Sequence, residues 1–383
     1  MKPGRGRTGG RRTAVSLFSG AGGLDLGVDQ AGFDVIYAVE SEPVAVQTLN
    51  RSRPKYFRAL DAVEPHDITR FDPADMLDKL GLLPGDVDLL IGGPPCVAFS
   101  KSGFHLEYKR QGRDPRAGLL WDYLRFLDVL RPKAYLMENV FGLAYRNQSA
   151  PFFDGLRAGI RQLGYSLTYG VLNAADYGVP QNRQRLFLVG ARDRRVLDLP
   201  SPTHWGDHER RRRPAFASEL LPHVTAGDAL SGLVCEREPG EDVNGKFGHL
   251  LPEIPPGRNY LHFTAHEGHP RPLFEWRSRY WTFLLKLDPE RPASTIQAQP
   301  GPYVGPFHWD NRRLRVPELR RLHGFPDDFD FAGSRREVQV QIGNAVPPPL
   351  ARTIATAIRK QLEGQAPTSR SEQLELAQSA AAN

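Results

Sequence analysis

Short apolar runs separated by glycine-rich or polar turns organise the first half of the sequence. Four of these runs have the length and composition of buried strands, and they are Ala14–Phe18, Val35–Val39, Val87–Ile91 and Ala134–Met137. Helical periodicity is clearest at Leu24–Ala31 and Leu119–Leu130. Strands that alternate with helices in this way predict an α/β fold around a parallel sheet.

The third strand ends at Gly92-Gly93-Pro94-Pro95-Cys96, the most informative stretch of the chain. The proline pair stops the strand, so we expect Cys96 on a loop at the carboxyl edge of the sheet, where open α/β sheets bind ligands. Two prolines also stiffen that loop and would hold a thiol in one geometry. On this stretch alone, a reactive thiol and a small buried apolar residue are equally good interpretations of Cys96.

The first strand leads into a glycine turn typical of nucleotide-binding βαβ units. The turn residues that we expect to contact a ligand are Phe18, Gly20, Gly22 and Gly23. Glu40 ends the next strand, where its carboxylate can accept hydrogen bonds from both ribose hydroxyls. The glycine spacing differs from that of dinucleotide enzymes and favours an adenosine ligand without a pyrophosphate. Asp67, followed by Ile68, is either a second acid for the adenine amino group or an ordinary cap or surface acid.

Charged side chains mark two further strand ends. Glu138 follows the fourth strand, and we expect it to face the same crevice as Cys96. Arg183 and Arg185 lie two residues apart just before the apolar run Leu186–Gly190, so an extended chain would place both guanidinium groups on one face. Strand-edge arginines are also common at solvated surfaces, and the pattern does not decide between the two interpretations.

Composition narrows the class of protein. The chain has 383 residues, a net charge of +6 and two cysteines, and no apolar run approaches the roughly 18 residues that span a bilayer. Two widely separated cysteines argue against a disulfide framework and fit a reducing, cytoplasmic location. Clustered arginines indicate a polyanionic partner. We expect residues 1–12 to form a flexible basic arm and residues 364–383 a disordered tail.

Six motifs occur in order along the chain, and they are Phe18-Ser19-Gly20-Ala21-Gly22-Gly23, Gly93-Pro94-Pro95-Cys96, Glu138-Asn139-Val140, Gln181-Asn182-Arg183-Gln184-Arg185, Arg291-Pro292 with Thr295-Ile296, and Gln341-Ile342-Gly343-Asn344-Ala345-Val346-Pro347. Taken together, they resemble those of the cytosine-C5 DNA methyltransferase family of bacterial restriction-modification systems. The resemblance covers nearly the whole chain. It implies a Rossmann-like methyltransferase sheet that uses S-adenosyl-L-methionine, with a second, smaller, mostly β or loop domain for target recognition.

The resemblance implies methyl transfer from S-adenosyl-L-methionine to carbon 5 of a flipped-out cytosine in a specific double-stranded DNA sequence. In that chemistry Cys96 adds to ring carbon 6, and Glu138, with a raised pKa, hydrogen bonds N3. Arg183 would bind the cytosine O2, while Arg185 would order the nucleophile loop. No metal is required. The further cofactor contacts that the family implies are Pro95, Asn344 and Val346, and we expect Gly343-Asn344 at the head of a final helix, Pro348–Gln361.

A base inside a duplex must leave the stack to reach such a pocket. The segment after Cys96 is basic, and its Lys101 and Arg113 are candidates for phosphate contacts or for a solvated loop. The resemblance places the recognition domain in the later variable region, the stretch between Arg195 and Glu290 in which the family varies. There Arg277 and Arg279 alternate in an aromatic setting and are candidate base or phosphate contacts.

We therefore expect a discontinuous catalytic domain over residues 13–194 and 338–363, with recognition and connecting segments over residues 195–337. The expected partner is double-stranded DNA, bound by a monomer, and no membrane partner is expected. The enzyme would either accompany a restriction endonuclease that acts on the same site or work alone. Two alternatives stay open, an RNA (tRNA) cytosine-5 methyltransferase and a DNA-binding module without catalysis. The Cys-Phe-Thr sequence of the tRNA branch is absent, and intact Cys96, Glu138 and Arg183 argue against the silent module.

Overall fold

A computed structural model describes residues 11–95, 118–145, 149–206, 219–276 and 280–365. The strands of its first half are β1 (Arg12–Leu17), β2 (Phe33–Val39), β3 (Leu89–Gly92), β4 (Ala134–Val140), β5 (Thr168–Asn173), β6 (Gln181–Asn182) and β7 (Gln184–Ala191). Six of them form one sheet in the order β2-β1-β3-β4-β7-β5. The strand order reverses between β1 and β3, which makes that edge the topological switch point of the fold.

The described helices pack on both faces of this sheet or in a third cluster beside it. They are α1 (Gly23–Gln30), α2 (Pro43–Tyr56), α3 (Pro73–Leu80), α4 (Leu119–Leu130), α5 (Gly142–Tyr145), α6 (Ala150–Gln162), α7 (Ala226–Leu230), α8 (Val316–His323), α9 (Arg335–Asn344) and α10 (Pro348–Leu362). Local sequence explains several boundaries: a capping box of Ser334 and Glu337 starts α9, and left-handed Arg131, just before a proline, ends α4. Within the described ranges, no helix is long and apolar enough to cross a bilayer.

Strand direction decides which residues meet at the functional edge. Strands β1 to β4 are mutually parallel, with Leu17 beside Gly92 and Gly92 beside Met137. Strand β7 runs antiparallel to both β4 and β5, and its Arg185 lies opposite Val140. The beginning of β7 therefore shares an edge with the carboxyl ends of the parallel strands.

Two apolar layers follow from the period-two alternation of the strands. Val15 and Leu17 of β1 pack with α3, α4 and α6 on one face. Ala14 of β1 and Val35 of β2 pack with α1 and α10 on the other. A third cluster joins α1 and α2 to residues 287–345, so the later part of the chain returns to the sheet domain.

Turns and short bridges dominate the later variable region. Its described strands are β8 (His204–Trp205), β9 (Leu221–Pro222) and β10 (Ala293–Ser294), and several 3-10 turns lie between them. A separate core there contains Phe263, Leu284 and Phe307. The described residues of this region are loop-rich with short strands, as expected for a mostly β or loop domain. Strand β10 then pairs in parallel with β6 and brings the chain back to the sheet domain.

Three expectations about boundaries differ from the structure. Arg12 lies in β1, 3.2 Å from Asp88, and Arg11 pairs with aspartates, so these two residues do not belong to a flexible arm. Residues 1–10 of the arm and 366–383 of the tail lie outside the described residues. Asn344 ends α9 and does not head the final helix, because the proline at Pro347 cannot continue α9. Helix α9 also begins three residues before the boundary that we expected at 338.

Candidate active site

Glu138 lies near the end of β4, where its side chain is almost fully buried. Its Oε1 is 3.0 Å from Nε of Arg185, which reaches it from the antiparallel β7. Removal from water raises the pKa of Glu138, and the positive charges of Arg185 and Arg183 oppose that rise. The burial effect is the larger, so this carboxyl holds a proton more readily than a solvated glutamate does.

The loop after β3 passes directly beside this carboxylate. A Cβ atom at Gly93 would lie 3.0 Å from Glu138 Oε2, so the close approach depends on glycine. Asn139 is buried, and its Nδ2 donates a hydrogen bond of 3.1 Å to the Pro94 carbonyl. The end of β4 thus braces the loop as far as half-buried Pro95. Cys96 follows at once in the sequence but lies outside the described residues.

The two arginines of the Gln181-Asn182-Arg183-Gln184-Arg185 motif have different partners. Arg183 is fully buried, and its guanidinium donates to the carbonyls of Gly343 at 2.6 Å and Ile296 at 3.4 Å. Arg183 itself belongs to neither strand, since it lies between the end of β6 and the start of β7. Arg183 therefore connects the sheet to the ends of β10 and α9, whereas Arg185 faces Glu138. Burial lowers the pKa of both guanidinium groups.

The glycine turn forms an open cradle at the switch point. Phe18 and Gly20 both have positive φ angles, 56° and 55°, and, chain neighbours aside, no atom of the described residues lies within 4 Å of the place where a Gly20 Cβ would stand. Glu40 is buried beside it and accepts a 2.6 Å hydrogen bond from the Gly20 amide through Oε2. Gly22, with φ 82°, precedes α1 at its N-terminus. This turn therefore combines backbone amide donors, space beside Gly20 and the N-terminus of α1.

The last motif packs against this cradle. A Cβ at Gly23 would lie only 2.4 Å from the Val346 carbonyl oxygen and 3.0 Å from Ala345 Cβ. Val346 is buried and Asn344 is exposed. The structure thus brings residues 18–23 together with residues 345–346, although more than 300 residues separate them in sequence.

Asp67 forms a local turn. Its Oδ1 accepts hydrogen bonds from the Thr69 amide at 3.0 Å and the Thr69 hydroxyl at 2.7 Å, and its side chain is about half exposed. Ile68 is buried, and its carbonyl accepts a 2.6 Å hydrogen bond from Arg125. The Thr69 contacts engage only Oδ1 of Asp67, so its predicted role toward the adenine amino group stays a prediction, while Arg125 of α4 holds the turn backbone at Ile68.

Sequence reasoning missed two kinds of residue. Arg125 and His323 carry no motif that marks them, and their partners are distant in sequence. Asn139 lay in a recognised motif, but its bond to Pro94 needs three-dimensional information. The candidate residues that lie outside the described part, together with Cys96, are Lys101, Arg113, Arg277 and Arg279.

A mostly parallel sheet with a glycine cradle at its switch point defines an α/β enzyme of the nucleotide-cofactor class. Residues 13–360 match the model of the C-5 cytosine-specific DNA methylase family, and the chain belongs to that family. It is thus a DNA cytosine-5 methyltransferase of the kind found in bacterial restriction-modification systems.

Relatives along the whole chain agree. The chain is 46% identical over 365 residues to Type II methyltransferase M.SacI of Streptomyces achromogenes, with 91% of this chain and 93% of the relative covered. It is 32% identical over 353 residues to Type II methyltransferase M1.HphI of Haemophilus parahaemolyticus, with 91% and 87% covered. A solved E. coli prophage protein, described as a candidate DNA modification methyltransferase, aligns with a TM-score of 0.62 at 25% identity, with 92% of this chain and 99% of that chain covered. The predicted family, enzyme class and α/β fold are confirmed.

Proposed function

We propose that this enzyme transfers a methyl group from S-adenosyl-L-methionine to carbon 5 of a flipped-out cytosine in a specific duplex sequence, through a covalent bond between Cys96 Sγ and ring carbon 6. One observation carries the proposal. A buried carboxyl with a raised pKa, Glu138, contacts both Arg185 and the loop that leads to Cys96. This is the arrangement that a pyrimidine ring needs for attack on one face and proton donation at its edge.

The cradle residues fit the proposed cofactor. Gly20 leaves open space, Glu40 is anchored at the strand end where ribose hydroxyls would lie, and buried Val346 closes the opposite wall. Glu40 retains acceptor capacity beyond the backbone hydrogen bonds that it receives, because an ionised carboxylate has about four lone-pair sites. When bound there, S-adenosyl-L-methionine supplies an electrophilic methyl group.

The protein residues activate the base. The Cys96 thiolate forms a bond to C6, and the ring electrons move toward N3 and the O2 carbonyl, so carbon 5 becomes an enamine carbon. Protonated Glu138 donates a hydrogen bond to N3 and stabilises this charge. After carbon 5 gains the methyl group, a water removes the carbon 5 proton, and the electron pair of that C–H bond expels the thiolate.

Arg185, and not Arg183, is the residue that we now propose for the cytosine O2. Its guanidinium is beside Glu138, so both groups would meet one edge of the same ring. Arg183 already donates to two backbone carbonyls, and using it at O2 would leave those buried acceptors unpaired. We propose that Arg183 supports the site by holding β6, β10 and α9 together.

Duplex DNA is the proposed substrate, and the basic residues Lys101, Arg113, Arg277 and Arg279 remain candidate contacts. A monomer suffices for one flipped base per event. A restriction endonuclease that cuts the same sequence is a proposed partner, as the restriction-modification relatives suggest.

Bisulfite sequencing of a plasmid from an expressing host would identify the methylated position. A duplex with 5-fluorocytosine at that position should then trap the protein in a denaturant-stable complex, because the fluorine cannot leave as a proton does. Cys96→Ser should form no complex and transfer no methyl group. Methylation of DNA by Cys96→Ser would refute the mechanism, and transfer to tRNA without transfer to duplex DNA would favour the RNA alternative.

A further inference from the structure

His323, at the end of α8, is a fully buried histidine that the proposed chemistry does not use. Its Nδ1 lies 3.1 Å from Nε2 of Gln181, and its Nε2 lies 3.0 Å from the carbonyl oxygen of Ala345. Because the Gln181 amide nitrogen can only donate, Nδ1 must accept, and the ring proton must be on Nε2, where it donates to Ala345. Both ring nitrogens are therefore engaged, and the tautomer is determined by the partners.

Gln181 connects this histidine to the segment that returns from the recognition region. Its Oε1 accepts a 3.2 Å hydrogen bond from the Ile296 amide, and its Nε2 also donates to the Leu322 carbonyl. Ile296 follows β10, which pairs with β6, the strand that contains Gln181 itself. Every polar atom of the Gln181 side chain thus has a partner, which makes the contact specific for one placement of that segment.

Ala345 connects the same histidine to the cofactor wall. Its neighbour Val346 presents a carbonyl 2.4 Å from where a Gly23 Cβ would stand, and Ala345 Cβ would be 3.0 Å from it. A small displacement of the Ala345 carbonyl would therefore move the wall against the glycine turn. Ala345 and Pro347 have extended backbone, and the strip is held at its ends by helical hydrogen bonds from the Ala345 amide to the Gln341 carbonyl at 3.1 Å and from the Ala351 amide to the Pro347 carbonyl at 3.0 Å. The bond from His323 fixes the Ala345 carbonyl between these two helix ends.

We propose that His323 is a positioning residue that ties the cofactor wall at Ala345 to the recognition-side segment at Ile296 through Gln181, so that cofactor binding and DNA binding reinforce each other. This inference rests on the proposed cofactor site. DNA that seats the returning segment would order the wall, and by reciprocity a bound cofactor would favour the DNA-competent placement. Burial and the nearby Arg183 charge keep the pKa of His323 far below its usual value, which preserves the acceptor at Nδ1.

Two substitutions separate the two bonds of the imidazole. A glutamine amide reaches the place of Nε2, so His323→Gln keeps a donor for Ala345. An asparagine amide reaches only the place of Nδ1, so His323→Asn keeps a partner for Gln181 and loses Ala345. Leu322→Ala is the matched control, because it removes a buried side chain of the neighbouring residue without touching either bond.

The measurement is the Kd of S-adenosylhomocysteine by calorimetry, with and without a duplex that carries the mapped site. Loss of one hydrogen bond predicts about fivefold to tenfold weaker binding by His323→Asn without DNA, and His323→Gln should stay within about twofold of the parent protein. Both variants should lose most of the strengthening that DNA produces in the parent. Leu322→Ala should lower the melting temperature and leave the Kd and the DNA effect unchanged.

Equal Kd values for His323→Gln and His323→Asn, whether both normal or both weakened, would overturn the proposal, since packing alone would then explain the residue. The same holds if Leu322→Ala weakens binding as much as His323→Asn. Gln181→Met removes the bonds of this side chain to His323 and Ile296. This variant replaces His323→Asn in the test if the asparagine variant does not fold. Absence of any binding by the parent protein would instead refute the proposed cofactor.

Discussion

The Glu138 carboxylate and the Arg185 guanidinium meet across an antiparallel strand pair, with Oε1 3.0 Å from Nε. Only the reversed direction of β7 brings its first residues to the carboxyl end of β4. Arg183, two residues earlier, is committed to the Gly343 and Ile296 carbonyls. Arg185 is therefore placed for the reacting ring and Arg183 for holding the backbone.

Arg185→Met and Arg183→Met should fail in different ways. Removing Arg185 takes a preorganised donor from the reacting ring, so we expect single-turnover methyl transfer to fall about 10²- to 10³-fold with little change in melting temperature. Removing Arg183 leaves two buried carbonyls unpaired, at about 1–3 kcal/mol each, and should lower the melting temperature clearly. Differential scanning calorimetry and rapid-quench assays on both variants test this. The reverse pattern would indicate that Arg183, and not Arg185, binds the cytosine O2.

The pH dependence of methyl transfer should report Glu138. Its pKa is raised by burial, and only its protonated form donates to N3, so the rate should decline as pH rises through that pKa. The charge of Arg185 holds this pKa down, so Arg185→Met should move the decline to higher pH while lowering the rate. Glu138→Gln should be slow and lack the decline. A decline that persists unchanged in Glu138→Gln would assign it to another group.

Asn139 offers a test of the loop brace. Asn139→Asp replaces the donor to the Pro94 carbonyl with an acceptor, which repels that oxygen and leaves a charge near Glu138. We expect kcat to fall by about 10- to 100-fold through misplacement of the loop, with S-adenosylhomocysteine affinity nearly unchanged. Asn139→Gln, which keeps the amide, is the comparison. Equal kcat for Asn139→Asp and the parent would show that the bond from Asn139 to the Pro94 carbonyl does not position the loop for catalysis.

Gly343 is predicted to tolerate no side chain. A Cβ there would lie 2.4 Å from the Ala298 amide nitrogen and 2.5 Å from its Cα, both backbone atoms. Gly343→Ala should therefore destabilise the protein by about 1–3 kcal/mol and weaken cofactor binding, because the strip that follows must shift. Gly301→Ala serves as the control, because a Cβ there would make an ordinary contact of 3.4 Å with the Val304 side chain. Urea unfolding of both variants gives the comparison, and equal midpoints would contradict the close approach.

Asp25 of α1 should make stability depend on pH. It is fully buried, and desolvation raises its pKa from 3.8 to about 7 against the opposing effect of nearby serine hydroxyls. The folded protein then holds more protons than the unfolded chain between pH 4 and 7, so this group's contribution is complete below pH 4 and is lost as pH rises to 7. At about 1.4 kcal/mol per pH unit, the loss is at most about 4 kcal/mol. Asp25→Asn should remove it, so the variant should gain stability relative to the parent from pH 5 to pH 8 in urea unfolding. A constant difference would show that Asp25 stays ionised.

The strands of the sheet, the glycine turn and the common edge of Glu40, Glu138 and Pro95 follow from the sequence. Their signals are local, because a short apolar run ended by glycine, proline or a carboxylate specifies a strand and its end within a few residues. Parallel pairing then brings the strand ends together without further information.

Other parts of the site depend on contacts that no local pattern contains. A strand alternates in the same way whichever direction it runs, so the reversal of β7 and the separate partners of Arg183 and Arg185 could not be predicted. Arg183 bonds to Gly343, 160 residues further on, and His323 bonds to Gln181, 142 residues before it. Asp67 keeps both interpretations, because its bonds to Thr69 engage only Oδ1.

Helix α10 packs directly on α1, so closely that a Cβ at Gly27 would be 2.4 Å from that of Ala351. During synthesis, the apolar face that α1 presents to α10 therefore stays uncovered until α10 has been made. The strip that closes the cradle, residues 344–346, also emerges late. A nascent chain would consequently lack methylation competence until residues 344–362 have emerged from the ribosome.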